Sequence, residues 1–178
     1  IAILLQIFTA YSQTSHLFTS DRELSSSMIN KIYQDHNNMI WIATEDGLNR
    51  YDGSKFTIYK NNPEDPYSIC NNYVRTIFED SKGRLFIGTY SGVQMYNPAT
   101  DKFSKKAFRN DSIPFDSNII DFAERSNGEI WITGNMLFSL EIRGEELFAK
   151  RIELGLEPFY SDFVIEDKDK NMWIGNGE

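Results

Sequence analysis

The sequence predicts an all-β fold: a β-propeller fragment of four-stranded antiparallel blades, about three full blades plus half of a fourth. Three observations predict it. First, a polar turn followed by an aromatic, a branched residue and a small residue recurs four times, over 35–44, 80–89, 125–133 and 167–175. Second, its aromatic stands at 41, 86, 131 and 173, steps of 45, 45 and 42 residues. A period in the 40s with landmarks in phase marks an architecture built blade by blade. Third, aromatic residues make up 14% of the chain, with 13 Phe, 9 Tyr and 3 Trp, and these suit strands better than helices.

Each repeat has the same predicted parts. First strands are expected at 28–33, 74–79, 119–124 and 163–166, each with near-alternating apolar residues. A tight turn follows, with Gly83, Gly128, Asn38 and Lys170 at the place that needs a left-handed residue. Second strands are expected at 39–44, 85–89, 130–133 and 172–175, where Ala43, Gly88 and Gly175 are small enough for a neighbouring sheet to come close. Third strands are expected at 48–51 and 93–97, with a shortened one at 134–138. Outer strands are expected at 55–60, 102–108 and 146–152, and a short strand at 16–19. The segments 61–68 and 110–114 are rich in Pro, Asn and Asp and read as surface loops.

The first twelve residues read differently. Ile1 to Phe8 is a short apolar run, and Ala10 and Ser12 are the small residues a signal peptidase accepts at −3 and −1. Residues 1–12 are therefore expected to be the remnant of a signal peptide, and 13–178 the amino-terminal part of one incomplete propeller domain. The run is too short for a membrane span.

Composition narrows the function classes. A formal charge of −8, with no basic cluster longer than Lys105-Lys106, is unlike the basic footprint that nucleic acid requires. Cys70 is the only cysteine and the two histidines stand apart, so no metal site is expected, and no cofactor. No catalytic residue is assigned: Glu45-Asp46, Glu64-Asp65 and Glu145-Glu146 are sequence neighbours, not carboxylates facing one bond. Asp35, Asp80 and Asp167 recur in the turn and read as turn hydrogen-bonding residues. Trp41, Phe86, Trp131 and Trp173 read as packing between blades. Propeller ligands sit on the loops at one mouth of the channel, which singles out Asn49, Arg50, Tyr73, Arg75 and Tyr90 as candidate ligand contacts. Aromatic faces beside hydrogen-bonding groups suit sugars.

The unit Asp-x-x-Gly-x-x-Trp-Ile-Gly-Thr-x-x-Gly-Leu-x-x-Tyr resembles the two-component regulator propeller repeat. It stands here as Asp80, Gly83, Phe86 to Thr89, Gly92, Val93 and Tyr96, and as Asp35, Asn38, Trp41 to Thr44, Gly47, Leu48 and Tyr51. The third copy departs, with Arg125 for the turn Asp and Gly134 for the Thr. The Asp-to-aromatic interval of six separates the unit from the sialidase Asp box, where it is five.

The resemblance implies a periplasmic sensor region of an inner-membrane-anchored hybrid two-component protein. Such a region recognises an oligosaccharide and regulates polysaccharide-utilisation genes through a downstream histidine kinase. It further implies the remaining propeller and downstream sensor domains as partners, and a homodimer in the full-length protein. A secreted propeller glycoside hydrolase or lyase is the alternative, and a purely structural scaffold a third reading. The leader carries its own test: mass spectrometry of the precursor expressed in a Gram-negative host should show cleavage before Gln13. An exported product that keeps residues 1–12 would overturn that expectation.

Overall fold

A computed structural model of the chain describes residues 17–19, 23–110, 113–155 and 160–175. Blade 1 is the sheet β1 (Ile29–Gln34), β2 (Ile40–Thr44), β3 (Gly47–Tyr51) and β4 (Phe56–Tyr59), paired antiparallel in chain order. Blade 2 repeats it with β5 (Val74–Glu79), β6 (Leu85–Thr89), β7 (Gly92–Asn97) and the two-residue β8 (Lys102–Phe103). The next strands are β9 (Phe108–Asn110) and β10 (Ile113–Pro114). Blade 3 follows with β11 (Ile119–Glu124), β12 (Ile130–Gly134), β13 (Phe138–Arg143) and β14 (Glu146–Arg151). Blade 4 is the pair β15 (Phe163–Glu166) and β16 (Met172–Gly175). The first strands β1, β5, β11 and β15 contact one another in turn, so they form the inner wall.

The fold is thus the expected propeller fragment, with three differences in its strands. The expected outer strand 102–108 pairs with blade 2 only through Lys102 and Phe103. Phe108 belongs instead to β9, which lies parallel to β14 and, with β10 paired to it inside the expected surface loop 110–114, widens blade 3 to six strands. Apolar burial explains the crossing: Ala107 and Phe115 are buried between blades 2 and 3, and Phe108 packs on Phe148 at 5.8 Å. The third strand of blade 3 begins only at Phe138, because Leu137 is spent in the preceding turn, buried toward blade 4. Leu17–Thr19 form no strand; Phe18 lies on the rings of Tyr51 and Phe56, at 5.3 and 5.0 Å. The expected leader and its cleavage point lie outside the described residues.

The core is the set of interfaces between blades. Trp41, Ala43 and Leu48 of blade 1 meet Val74, Ile77, Ile87 and Phe103 of blade 2. The other face of blade 2, with Phe86 and Val93, meets Phe122, Ile130, Ile132 and Leu140 of blade 3. Ala123 and Leu137 then meet Val164 of blade 4. Gly88 is required by this closeness, since a Cβ there would stand 2.6 Å from Thr76 Cγ2 and 2.7 Å from Ile119 Cγ2. The recurring aromatics therefore differ in burial. Trp41 and Phe86 are fully buried, Trp131 is half-buried, and Trp173 is 62% exposed because no described residue covers that face of β16. For Trp173 the inter-blade packing role is not met among the described residues.

The recurring turn has a chemical reason. Asp35 Oδ1 accepts from the N–H groups of Asn37 and Met39, both at 2.9 Å, and Oδ2 accepts from Trp41 Nε1 at 2.8 Å. Asp167 does the same for Asp169, Asn171 and Trp173, the last at 2.7 Å. The interval of six is the reach from the turn carboxylate to an indole N–H. Where Phe86 has no such donor, Asp80 Oδ2 takes Arg84 Nε at 2.6 Å. Where Arg125 replaces the acid, Trp131 Nε1 is buried without a partner, and the guanidinium lies over the indole at 5.1 Å. The turns close on Asn38, Gly83, Gly128 and Lys170, all with φ between 63° and 82°.

A second device ties each turn to the following blade. Glu79, ending β5, accepts from His36 N at 3.0 Å. Glu124, ending β11, accepts from Ser81 N at 2.7 Å and Ser81 Oγ at 2.6 Å. Glu166, ending β15, accepts from Ser126 N at 2.5 Å. Hydrogen bonds to ionised acceptors are stronger than neutral ones, so each staple sets the angle between two sheets.

Asp35→Ala should lower stability by about 1–3 kcal/mol, the cost of leaving a buried donor without a partner. The loss should shrink in a Trp41→Phe background, which has no indole N–H to strand. Denaturation midpoints of the four proteins in the double-mutant cycle check this; equal losses in both backgrounds would show that the indole bond contributes nothing.

Candidate ligand-binding site

The antiparallel order sorts the loops. The Asp turns and the β3–β4, β7–β8 and β13–β14 connections lie at one end of the blades. The β2–β3, β6–β7 and β12–β13 turns and the long incoming loops lie at the other, the mouth.

Asn49 is at neither surface. It is fully buried, its Oδ1 accepts from Ser25 N at 2.9 Å, and its Nδ2 donates to Ser25 Oγ at 2.8 Å and Ile42 O at 3.2 Å. The same lock recurs in blade 2, where Gln94 Oε1 accepts from Cys70 N at 2.6 Å and its Nε2 donates to Ser104 O at 2.7 Å. Thr44 and Thr89 complete the two locks, at 2.9 Å from Ser25 Oγ and 3.2 Å from Cys70 Sγ. All polar atoms of the Asn49 side chain are engaged within blade 1, so it is a pin for the incoming chain and not a ligand contact.

Arg50 is likewise absorbed. Its guanidinium bonds Asp101 Oδ1 at 2.6 Å and the Tyr96 hydroxyl, and lies 5.6–5.8 Å from the rings of Trp41, Tyr59 and Tyr96. Tyr59 and Tyr96 also donate to Asp101 Oδ1, at 2.6 and 2.7 Å. Burial pushes the Tyr96 hydroxyl up to about 12, with its bond to Asp101 adding to the rise, so it stays a donor. This cluster joins blades 1 and 2 away from the mouth.

The other three candidates come together. Tyr73 and Tyr90 have ring centroids 6.0 Å apart, and Tyr90 N donates to Tyr73 O at 3.0 Å. Arg75 Cζ stands 5.8 Å over the Tyr73 ring. Tyr73 donates its hydroxyl to Glu45 Oε1 at 3.1 Å, and that bond, with some burial, raises its pKa. Tyr90 is 58% exposed, so its face is open to solvent. Glu45 is not among the candidate contacts that the sequence singles out; the signal that places it here is its position in the β2–β3 turn, 45 residues before Tyr90.

Arg75 owes its place to a β-bulge. Pairing slips between Val74 and Thr76, and the same slip occurs between Ile29 and Lys31 and between Ile119 and Asp121. Bulges re-aim a side chain at the end of a pairing. Further along the inner wall, burial raises the Asp121 carboxyl above its usual value, and Lys31 is the nearby cation that opposes this. Among the described residues no group of three metal-ligating side chains occurs, and no helix is long and apolar enough to cross a membrane.

A cavity of about 480 Å³ opens elsewhere, on the rim between blades 2 and 3, lined by Tyr67, Met95, Phe103, Lys105 and Glu146 among others. It opens beside the two-residue β8, whose Lys102 and Phe103 line it. None of the five candidate residues lines it.

Known proteins share both the repeat and the architecture. A segment of 52 residues is 50% identical to "Histidine kinase P4" of Formosa agariphila, covering 29% of this chain and 4% of that protein. The extracellular domain of a B. thetaiotaomicron protein described as a hybrid two component system superposes with a TM-score of 0.68 at 23% identity. That match covers 89% of this chain and 22% of the other. Virginiamycin B lyase of Staphylococcus aureus superposes with a TM-score of 0.59 at 11% identity, covering 82% of this chain and 48% of the lyase. At these identities the superpositions establish the propeller fold. The chain thus spans a small part of the proteins it is similar to. Residues 23–46 and 68–91, the turns and second strands of blades 1 and 2 with the segments leading into them, match the two component regulator propeller.

Proposed function

We propose that this chain is part of an extracytoplasmic ligand-sensing propeller in a hybrid two-component signalling protein, and that it recognises an oligosaccharide at the mouth of the blades. Recognition there biases the arrangement of the propeller, and a downstream histidine kinase reads that bias and controls genes for polysaccharide use. The membrane anchor, the kinase and a homodimeric assembly belong to this proposal. The repeat family and the histidine kinase it resembles support the signalling part.

The observation that carries the ligand part is the pair Tyr73 and Tyr90, one with its hydroxyl bound to Glu45 and the other exposed on the β6–β7 turn. Sugar rings have apolar faces that stack on aromatics and hydroxyls that bond to acids and amides. Glu45 offers the acceptor and the tyrosine faces offer the platform. Glu45 and the two tyrosines are positioning groups, and binding without turnover is the expected chemistry.

Calorimetry of the full chain against a panel of neutral and acidic disaccharides tests this, with chromatography of the products. Tyr90→Ala should weaken every saccharide that binds, by about fivefold or more, if a stacked ring is lost. Binding unaffected by Tyr90→Ala would move the site off the mouth, and turnover that disappears on changing one carboxylate would make the protein a hydrolase or lyase.

A further inference from the structure

Arg75 stands apart from the other arginines. The protein carries a net charge of −8, and Arg50, Arg84, Arg125, Arg143 and Arg151 each pair with an Asp or Glu. Among the arginines whose side chains are described, Arg75 has no carboxylate partner, although it is half-buried and lies over an aromatic ring at the mouth. Glu45, the acid bound to that same tyrosine, forms no ion pair with it.

The bulge gives a second, independent observation. Its extra residue is Asn30 in blade 1, Arg75 in blade 2 and Ile120 in blade 3. Positions with a structural task keep their chemistry from blade to blade: the turn acid recurs in three of four copies, and the glutamate staple spans all three interfaces. The bulge position keeps its geometry and changes its chemistry. Asn30 spends its amide on the Val74 carbonyl at 2.7 Å, and Ile120 has no polar atom. Only in blade 2 does the bulge present an unspent charge, and it does so beside Tyr73 and Tyr90.

We propose that Arg75 is the subsite for an anionic group, and that the ligand is an acidic saccharide carrying a carboxylate or a sulfate. The inference rests on the saccharide reading of the mouth. A guanidinium offers a planar fork of donors that matches either group bidentately. Stacking on Tyr73 holds that fork in place before binding, so less freedom is lost when the anion docks. Lys31, exposed on the neighbouring inner strand, adds a second positive charge along the channel wall.

Titration of the full chain with digalacturonate, galactose 6-sulfate and neutral galactobiose tests this. One of the two acids should bind more tightly than galactobiose, and which one does assigns carboxylate or sulfate. Arg75→Gln should cut the preference for that acid over galactobiose about tenfold or more, and Arg75→Lys should fall between. If Arg75→Gln fails to fold, ionic strength decides on the unmodified chain: salt should weaken the acid and spare the neutral sugar. Galactobiose binding as tightly as both acids would overturn the anionic subsite and leave the saccharide reading intact. No binding of any of the three would overturn both.

Discussion

Face-to-face contact between neighbouring sheets is the constraint on which the rest of this structure depends. Each inner blade is apolar on both faces, and the cores lie between blades: Trp41 is fully buried in the cluster it shares with Phe103 and Tyr96 of the next blade. Repeat units of this kind draw much of their stability from the interface with a neighbour. Apolar contact is non-directional, however, and would allow the sheets to slide. Direction comes from polar groups at the edges. The glutamates at 79, 124 and 166 grip the preceding turn, and the Asn49 and Gln94 locks seat the chain entering each blade. Slipping one sheet past another would strip these groups of partners in a dry environment, where an unpaired polar group is costly.

The same logic explains why the third repeat can depart from the pattern without losing its blade. Arg125 removes the acceptor for Trp131, and the guanidinium compensates by covering the indole and pairing with Glu129 and Glu166 at 3.2 and 3.3 Å. Gly134 removes the threonine that locks the incoming chain in blades 1 and 2. The backbone then comes so close that a Cβ there would stand 1.8 Å from Asn118 O. Blade 3 gains area instead, through the β9–β10 hairpin on its outer edge. A strand order that recruits residues from the preceding connection is a way to strengthen a sheet whose inner locks are missing.

Much of this was legible in the sequence because the landmarks have steric or hydrogen-bonding causes local to a turn. Gly83, Gly128, Asn38 and even Lys170 adopt the left-handed conformation the hairpin demands. Strands 74–79, 85–89, 119–124, 163–166 and 172–175 were readable to the residue, since each is bounded by such a turn. The outer strands were less so. Whether Phe108 continues blade 2 or crosses to blade 3 depends on which cavity Ala107 and Phe115 fill, a long-range matter with no local signal. The candidate site divides the same way. Loop position alone grouped Asn49 and Arg50 with Tyr73, Arg75 and Tyr90, but strand alternation turns Asn49 onto the chain entering its own blade and Arg50 into the interface with blade 2, while the bulge and the turn bring the others together. Blade periodicity would have separated them: Asn49 aligns with Gln94, a second buried amide, and a residue repeated in kind is more often structural.

An acidic protein with a site for an anion poses an electrostatic question, and distance answers it. Exposed charges farther apart than about 8 Å are largely screened at physiological ionic strength, so the net charge of −8 is not what a ligand at the mouth feels. Local balance matters more. Lys60 and Asp46 cancel as a pair at 2.6 Å, and Lys106 and Asp116 as a pair at 3.1 Å. Glu45 is tied to a tyrosine hydroxyl. Beside the two aromatic rings the guanidinium of Arg75 has no carboxylate bonded to it. A propeller can supply such a feature in one blade alone, because every blade repeats the scaffold that would hold it and the bulge tolerates Asn30, Arg75 and Ile120 alike.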